Sequence, residues 1–169
     1  MSYGSYIAEL AKEMSPDGVP HPHVFDGLIT LLSLLDASGP REDYLRIFEM
    51  RLLASAGYHP SFDFCSGCKK PWEKGEPFWF SVPRGGVVCS RCKEGEKDVY
   101  SLSLGTAKLL KQACNLTADK MKRLMFSPQA REESGRILPC FIRYQLGKEL
   151  KSFKFLEKMQ QPAFEGPRK

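Results

Sequence analysis

The chain has 169 residues and a formal net charge of +5, and 42% of its residues are hydrophobic while 27% are charged. This composition is typical of a soluble globular protein with one ordinary core and room for a small extra module. There is no apolar run of the roughly 18 residues that span a bilayer and no secretory signal at the start, so we expect a cytoplasmic protein with reduced thiols and no membrane partner.

Charge is unevenly distributed along the chain. Residues 1–64 carry four basic and nine acidic groups, whereas residues 136–169 carry eight basic and three acidic groups. A basic end of this kind predicts an acidic partner, either nucleic acid or an acidic peptide.

Apolar residues at helical spacing predict three helices before the first cysteine, at residues 5–14, 24–35 and 42–57. The second is apolar on nearly every side, which predicts a central helix buried by its neighbours. On the third, Arg46 and Arg51 are expected either to be solvated or to pair with Glu42, Asp43 or Glu49 across helical spacings.

Two Cys-x-x-Cys pairs follow, Cys65-Ser-Gly-Cys68 and Cys89-Ser-Arg-Cys92, with twenty residues between them. Each pair can direct two sulfurs to one centre, and four thiolates suit Zn²⁺, which is borderline-soft and readily tetrahedral. Because four cysteines close the coordination shell, we predict one structural zinc per chain and not a catalytic one. Redox-active pairs or disulfides are the alternatives, but no βαβ unit accompanies either pair and nothing indicates secretion.

The residues between the two pairs predict a β-hairpin. Residues 77–82 and 87–89 are rich in aromatic and β-branched side chains, and Pro83-Arg-Gly-Gly86 is typical of a turn. A hairpin this short is marginal in water, so the metal would supply much of its stability. The sequence therefore predicts a four-cysteine zinc ribbon.

Helical spacing returns after the ribbon, and it predicts helices at residues 102–115, around 121–125 and at 128–158. The last is expected to bend at Gly147. Cys114 and Cys140 fall among apolar residues, so we expect them to be small core side chains.

The predicted fold class is mainly α, a compact helical domain with an inserted zinc-ribbon β-hairpin that holds its metal through four cysteines. The expected division is a first helical part at 1–64, the ribbon at 65–98, a second helical part at 99–160 and a flexible tail at 161–169.

One arc of the last predicted helix collects basic residues. At about 100° per residue the arc is roughly 140° wide, provided that the helix continues through Gly147. Its members are Arg136, Arg143, Lys148, Lys151, Lys154, Phe155 and Lys158. An aromatic ring among cations suits the stacking of single-stranded bases or the binding of an acidic peptide with an aromatic residue. We predict that this arc binds DNA or a partner, and the alternative is an ordinary solvated face.

Motifs of catalysis are missing from the sequence. It has no Gly-rich phosphate loop, no His-x-Glu with a zinc-binding cysteine pair and no nucleophile elbow. The adjacent carboxylates Glu42-Asp43 and Glu132-Glu133 lie near helix starts or on polar faces, so we expect solvated charge. The chain is not expected to be an enzyme.

Several stretches together resemble a known family. They are Tyr6-Ile-Ala-Glu-Leu10, Val24-Phe25, Arg46-Ile-Phe-Glu-Met-Arg-Leu-Leu53, Ala56-Gly-Tyr-His-Pro60, the two cysteine pairs with Gly85-Gly86, and Leu150-Lys-Ser-Phe-Lys-Phe-Leu156. Their order resembles the C-terminal part of the RecO family of bacterial recombination mediators, over roughly residues 5–158. The OB-fold domain with which RecO-like proteins begin has no counterpart in this sequence.

The resemblance implies a non-enzymatic role in DNA repair and recombination and in the response to DNA damage. RecO-like proteins bind single- and double-stranded DNA, contact the acidic C-terminal tail of single-strand-binding protein, and work with RecR to load RecA and anneal strands. It also implies a bacterial cytoplasm, in association with the nucleoid. The alternative from another class is a zinc-ribbon domain of a transcription or replication accessory factor that contacts only proteins.

Overall fold

A computed structural model describes residues 2–15, 22–72, 75–116 and 118–160 of the chain. The helices are α1 (Ser2–Met14), α2 (Pro22–Ser38), α3 (Glu42–Ser55), α4 (Leu104–Ala113), α5 (Ala118–Arg123), α6 (Pro128–Leu146) and α7 (Lys151–Gln160). The strands are β1 (Phe78–Ser81), β2 (Gly86–Cys89) and β3 (Val99–Leu102). The fold is thus mainly α with a small sheet, as predicted, while the predicted tail at 161–169 lies outside the described residues. None of the helices in the described ranges is both long enough and apolar enough to cross a bilayer.

The central helix is α3 and not α2, so the prediction of a buried α2 is wrong. Leu31 and Leu34 of α2 are buried, but Phe25, Ile29 and Leu32 are 62%, 48% and 41% exposed. Apolar composition alone does not bury a helix, because burial also requires neighbours on every side. Those neighbours surround α3, which contacts α1, α2, α4 and α6.

Burial of α3 is possible because its polar side chains find partners inside the protein. Glu49 accepts a hydrogen bond from the Tyr6 hydroxyl at 2.7 Å and one from Nη1 of Arg46 at 2.6 Å. All three side chains are almost fully buried. Arg46 therefore pairs with Glu49, as one of the two predicted arrangements had it, and the pair is linked to α1 through Tyr6.

Asp43 is one of the carboxylates expected to be solvated, and that expectation is wrong because the side chain is buried. Its Oδ1 accepts a hydrogen bond from Nε of Arg131 at 2.8 Å, and its Oδ2 accepts one from Nη2 of Arg41 at 2.8 Å. Burial would raise the pKa of Asp43, but the hydrogen bonds from Arg131 and Arg41 outweigh it and lower the pKa. Glu133 is buried as well, and it accepts a hydrogen bond from the Ser103 hydroxyl at 2.8 Å.

We expect Asp43→Asn to lower the free energy of unfolding at pH 7 by about 1–3 kcal/mol, the usual worth of hydrogen bonds to a charged group. Because the folded-state pKa is lowered, the contribution of the charge is present above the unfolded value of about 4 and is lost as pH falls through the folded value. The two proteins should therefore differ less in urea midpoint at pH 3 than at pH 7. A difference that stays constant between these pH values would contradict the prediction.

The sheet has three strands in the order β2-β1-β3, where the sequence predicted two. Both neighbours run antiparallel to β1, with Phe80 opposite Val87 on one side and Tyr100 on the other. The third strand was missed because it directly precedes the helix start signal at Ser103, and its last residue, Leu102, was assigned to the following helix. Three strands with one face on the core are a more stable unit than an isolated hairpin.

The inner face of the sheet packs on the helices. The Phe80 ring lies edge-on to Phe141 of α6, with 5.5 Å between centroids, and 6.0 Å from the ring of Phe62. These side chains belong to a single buried cluster that also contains the apolar residues of α1, α3 and α4. The sheet and the helices therefore share one hydrophobic core.

The long predicted helix is two helices, so the prediction of a continuous helix through Gly147 is wrong. Gly147 has φ of +64° and ends α6 in the left-handed conformation that glycine adopts without steric cost. The following helix, α7, is capped by a residue from the other end of the chain. Backbone N–H groups of Lys151 and Ser152 donate to the Glu9 carboxylate at 3.2 and 2.8 Å, and that carboxylate complements the positive end of the helix dipole.

Candidate metal centre and cationic groove

The four predicted ligand cysteines form one cluster. Cys65 and Cys68 precede β1, Cys89 is the last residue of β2, and Cys92 follows it. The Sγ atoms of Cys65, Cys68, Cys89 and Cys92 are all within 4.8 Å of one another. The distance from Cys68 Sγ to Cys89 Sγ is 3.9 Å. Two sulfurs bound to one zinc at 2.3 Å in a tetrahedron are about 3.8 Å apart, so the cluster has the dimensions of a tetrathiolate site.

The backbone turns both pairs in the same way. In the first, the N–H of Lys69 donates to the carbonyl of Cys65 at 2.8 Å, and in the second, the N–H of Lys93 donates to the carbonyl of Cys89 at 3.0 Å. We call these two turns, residues 65–69 and 89–93, the knuckles. Each knuckle directs its two sulfurs toward the other, which is the arrangement that one shared metal ion requires.

The electrostatics of the thiols favour a bound cation. Burial would raise the pKa of Cys65, but hydrogen bonds from the N–H groups of Cys68, Cys89 and Gly67 outweigh it and lower the pKa to about 6. Hydrogen bonding with the Cys89 thiol, together with burial, raises the pKa of Cys92 to about 12. Four thiolates this close repel one another, so a cation is needed to deprotonate all of them.

Close packing explains a difference between the two knuckles. A Cβ atom added at Gly67 would lie 2.8 Å from both Cβ and Sγ of Cys92, which is closer than real Cβ atoms approach other atoms. Arg91 occupies the corresponding position of the second knuckle and is exposed. Glycine at position 67 is therefore required by the close approach of Cys92.

A groove lies between α6, α7 and β3. Its volume is about 280 Å³, and its apolar lining includes Tyr100, Pro139, Ile142, Leu150 and Phe153. Three of the seven residues predicted to bind DNA or a partner, Arg136, Arg143 and Lys148, also line it. We call this feature the cationic groove.

Of the other predicted binding residues, Lys151, Lys154 and Phe155 do not line the cationic groove. Lys151, Lys154 and Phe155 lie on α7, where Nζ of Lys154 is 2.7 Å from a carboxylate oxygen of Glu149 and the Phe155 ring is 58% exposed. The side chain of Lys158 lies outside the described residues. The arc is divided because α6 ends at Gly147, so no continuous helical face joins its two halves.

Ion pairs distinguish the three cations of the groove. Arg136 pairs with Glu132 at 2.7 Å, and Lys148 pairs with Glu13 of α1. Arg143 is exposed and has no ion pair among the described residues. Arg143 is therefore the cation most available to a negatively charged ligand.

Sequence reasoning missed Tyr100, since it overlooked the strand that carries this residue. The hydroxyl of Tyr100 lies 3.3 Å from Sγ of Cys140 on the groove wall. This hydrogen bond, with burial, raises the pKa of Tyr100 to about 12, so the phenol is neutral at pH 7. The groove thus presents a neutral aromatic lining beneath three cationic side chains and one carboxylate, that of Glu149, which is paired with Lys154.

Comparison with known proteins places the chain in a family. The family model described as "Recombination protein O C terminal" matches residues 1–154. Among curated relatives named "DNA repair protein RecO", that of Syntrophus aciditrophicus is 37% identical over 158 residues, covering 92% of this chain and 61% of the relative. That of Pelotomaculum thermopropionicum is 33% identical over 167 residues, covering 98% and 64%.

A relative of the same name from Anaeromyxobacter sp. strain K is 36% identical over 156 residues, which covers 91% of this chain and 60% of that protein. The chain therefore spans about 60% of the length of the curated relatives that it matches. The match to the family model covers nearly the whole chain, and the sequence identities with these relatives exceed 30%. This protein belongs to the RecO family.

Proposed function

We propose that this chain is the zinc-stabilised helical part of a DNA repair and recombination mediator, and that it acts by binding and not by catalysis. The cationic groove carries the proposal, because its apolar lining and basic rim suit an acidic peptide. Family membership supports the role, since the curated relatives are named DNA repair proteins. The proposed partners are single- and double-stranded DNA, the acidic tail of single-strand-binding protein, and RecR.

The metal that we propose is one structural Zn²⁺ per chain, held by Cys65, Cys68, Cys89 and Cys92. Four thiols with the observed spacing suit zinc, and all four coordination positions would be taken by the protein. When bound, the ion would cross-link the two knuckles and fix the sheet. Because it has no open position, it contributes stability and not chemistry.

The cationic groove suits a peptide tail that combines acidic residues with an apolar terminal residue. Phe153, Tyr100 and Ile142 offer a surface for an aromatic side chain, and Arg143 offers a charge for the carboxylates. The end of single-strand-binding protein has this chemistry. Capture of that tail would bring the mediator to single-stranded DNA, where RecA loading and strand annealing take place in a bacterial nucleoid.

We expect Arg143→Glu to weaken binding of a labelled tail peptide by about tenfold or more, because it reverses the unpaired charge at the groove. Fluorescence anisotropy would measure the affinity, beside a peptide that lacks its final aromatic residue, which should also bind weakly. Lys120→Glu is the matched control, since Lys120 is an exposed cation on α5 that does not line the groove.

The result that would overturn the groove proposal is tail binding that Lys120→Glu and Arg143→Glu weaken equally. Binding that depends on Lys151 and Lys154 instead would move the site to the outer face of α7. If the tail does not bind at all, the protein partner is of another kind.

A further inference from the structure

The two knuckles share a sequence pattern that metal binding does not require. Each is Cys-Ser-x-Cys-Lys, so that a lysine follows the second cysteine in both. In both, this lysine lies over an aromatic ring. Nζ of Lys69 is 5.1 Å from the centroid of Phe64, and Nζ of Lys93 is 3.6 Å from the centroid of Trp79.

Backbone conformation makes Lys69 unusual. Its φ is +63°, in the left-handed region that favours glycine. Three other residues with positive φ in this part of the chain are glycines and satisfy that preference: Gly75, Gly85 and Gly95. Asp98 also has positive φ, and aspartate is a residue type that tolerates this conformation. The backbone at Lys69 therefore favours glycine, so a lysine at this position carries a conformational cost.

The knuckle lysines differ from the neighbouring cations in their contacts. Lys70 and Arg84, their neighbours, form ion pairs with Glu76 and Glu96. Neither Lys69 nor Lys93 has such a pair among the described residues. Each ammonium instead lies over a ring, and the ring of Phe64 is 40% exposed.

We propose that the two knuckles bind single-stranded nucleic acid, with Lys69 and Lys93 contacting phosphates and the rings of Phe64 and Trp79 stacking on bases. A ring beside a cation matches a nucleotide, which has an apolar face beside a charged phosphate. Lysine has a long flexible chain, so its ammonium can leave the ring for a phosphate while a base takes its place. Unpaired bases are required, because bases in a duplex are already stacked.

This inference rests on the proposed function in that it takes DNA as a partner. It adds a contact surface on the cysteine-rich part of the chain, separate from the cationic groove. The stacking contacts do not depend on sequence, since every base has an aromatic face. The surface would therefore hold single strands of any sequence.

The test uses the two tryptophans of the chain. Trp72 packs on Phe78, with 4.7 Å between centroids, and a phenylalanine in its place keeps an aromatic ring there. In Trp72→Phe, Trp79 is the remaining tryptophan. Titration of the full zinc-loaded chain with an oligothymidylate of about 20 nucleotides should quench its fluorescence saturably, whereas a blunt DNA duplex should quench it much less.

A pair of substitutions separates binding from structure. Lys69→Gly with Lys93→Ala should weaken oligothymidylate binding by about tenfold and reduce the slope of log affinity against log salt by about 1.4, which is two phosphate contacts at about 0.7 each. Lys69→Gly alone should raise the midpoint of thermal unfolding, because glycine relieves the positive φ. A merely structural lysine would lower stability when removed. Lys97→Ala with Lys108→Ala is the control, since both are exposed lysines that form no ring contact among the described residues.

Each of the results that follow would overturn the inference. They are Trp79 fluorescence that does not change when oligothymidylate binds, and a loss of oligothymidylate affinity in the control pair as large as in the knuckle pair. The others are quenching by the duplex as strong as by oligothymidylate, and quenching by an acidic peptide but not by DNA. In the first two cases the chain still binds DNA, so the proposed function stands while the knuckle site fails. Absence of oligothymidylate binding at low salt would remove both the knuckle site and the DNA-binding part of the proposed function.

Discussion

Cys65→Ser is expected to unfold the helices as well as the sheet. Cys65 is fully buried, and loss of this proposed ligand would remove the cross-link that a bound zinc ion would form between the two knuckles. The free energy of zinc binding at structural sites is about 10–16 kcal/mol, which is as large as the whole stability of an ordinary domain, about 5–15 kcal/mol. Because Phe80 packs on Phe141 in the shared core, a disordered sheet would expose the helices that cover it.

The measurement is far-UV circular dichroism during thermal unfolding, with zinc per chain determined on the same samples. Removal of zinc from the unsubstituted chain by a strong chelator should give the same loss of helical signal. Cys114→Ser is the matched control, because Cys114 lies outside the cluster and should leave zinc content unchanged. Helices that melt normally after zinc has been lost would show that the core does not need the sheet.

The second large effect is expected at Glu49. Glu49→Gln should lower the free energy of unfolding by about 3–5 kcal/mol, since it leaves the buried guanidinium of Arg46 without a counter-charge. Tyr6→Phe removes a neutral donor from the same carboxylate and should cost less, about 1–3 kcal/mol. Urea unfolding followed by fluorescence would give both values.

A double substitution tests the physical reason. In a Tyr6→Phe background, Arg46→Met combined with Glu49→Leu removes both charges without leaving the Tyr6 hydroxyl unpaired, so it should be less destabilising than Glu49→Gln in the same background. Such non-additivity is expected for residues in direct contact. If the double variant loses as much stability as the sum of its single changes, the cost arises from packing and not from an uncompensated charge.

Local patterns were the most informative part of the sequence. The cysteine spacing predicted the cluster correctly, because a Cys-x-x-Cys turn sets the direction of its sulfurs through its own backbone. The end of a helix at Ser55 and the start of another at Pro128 were also predicted closely, since Gly57 and Ser127 are local signals. Ser127 accepts a hydrogen bond from the Ala130 N–H at 3.1 Å, as a helix cap does.

Features that depend on distant partners were not predictable. Asp43 is buried because Arg131, 88 residues away, supplies a charge, and no local pattern contains that information. The strand β3 exists because β1 pairs with it. Helix α2 is half exposed because nothing in the described ranges covers Phe25. The cationic groove was not predictable as a whole, because it depends on two unpredicted features. Tyr100 reaches it from β3, and Phe153 reaches it from α7, which the sequence predicted to continue α6.

The cap that Glu9 provides to α7 has a consequence for the time at which the groove forms. The bonded residues are 142 and 143 positions apart, so the contact closes a loop of almost the entire chain. During synthesis, α7 leaves the ribosome after α1, α3 and the sheet, so those elements can pack before it. Leu150 and Phe153 then complete one wall of the groove. A nascent chain can therefore form its core before this wall of the groove exists, and the proposed binding site is complete only when α1 and α7 meet.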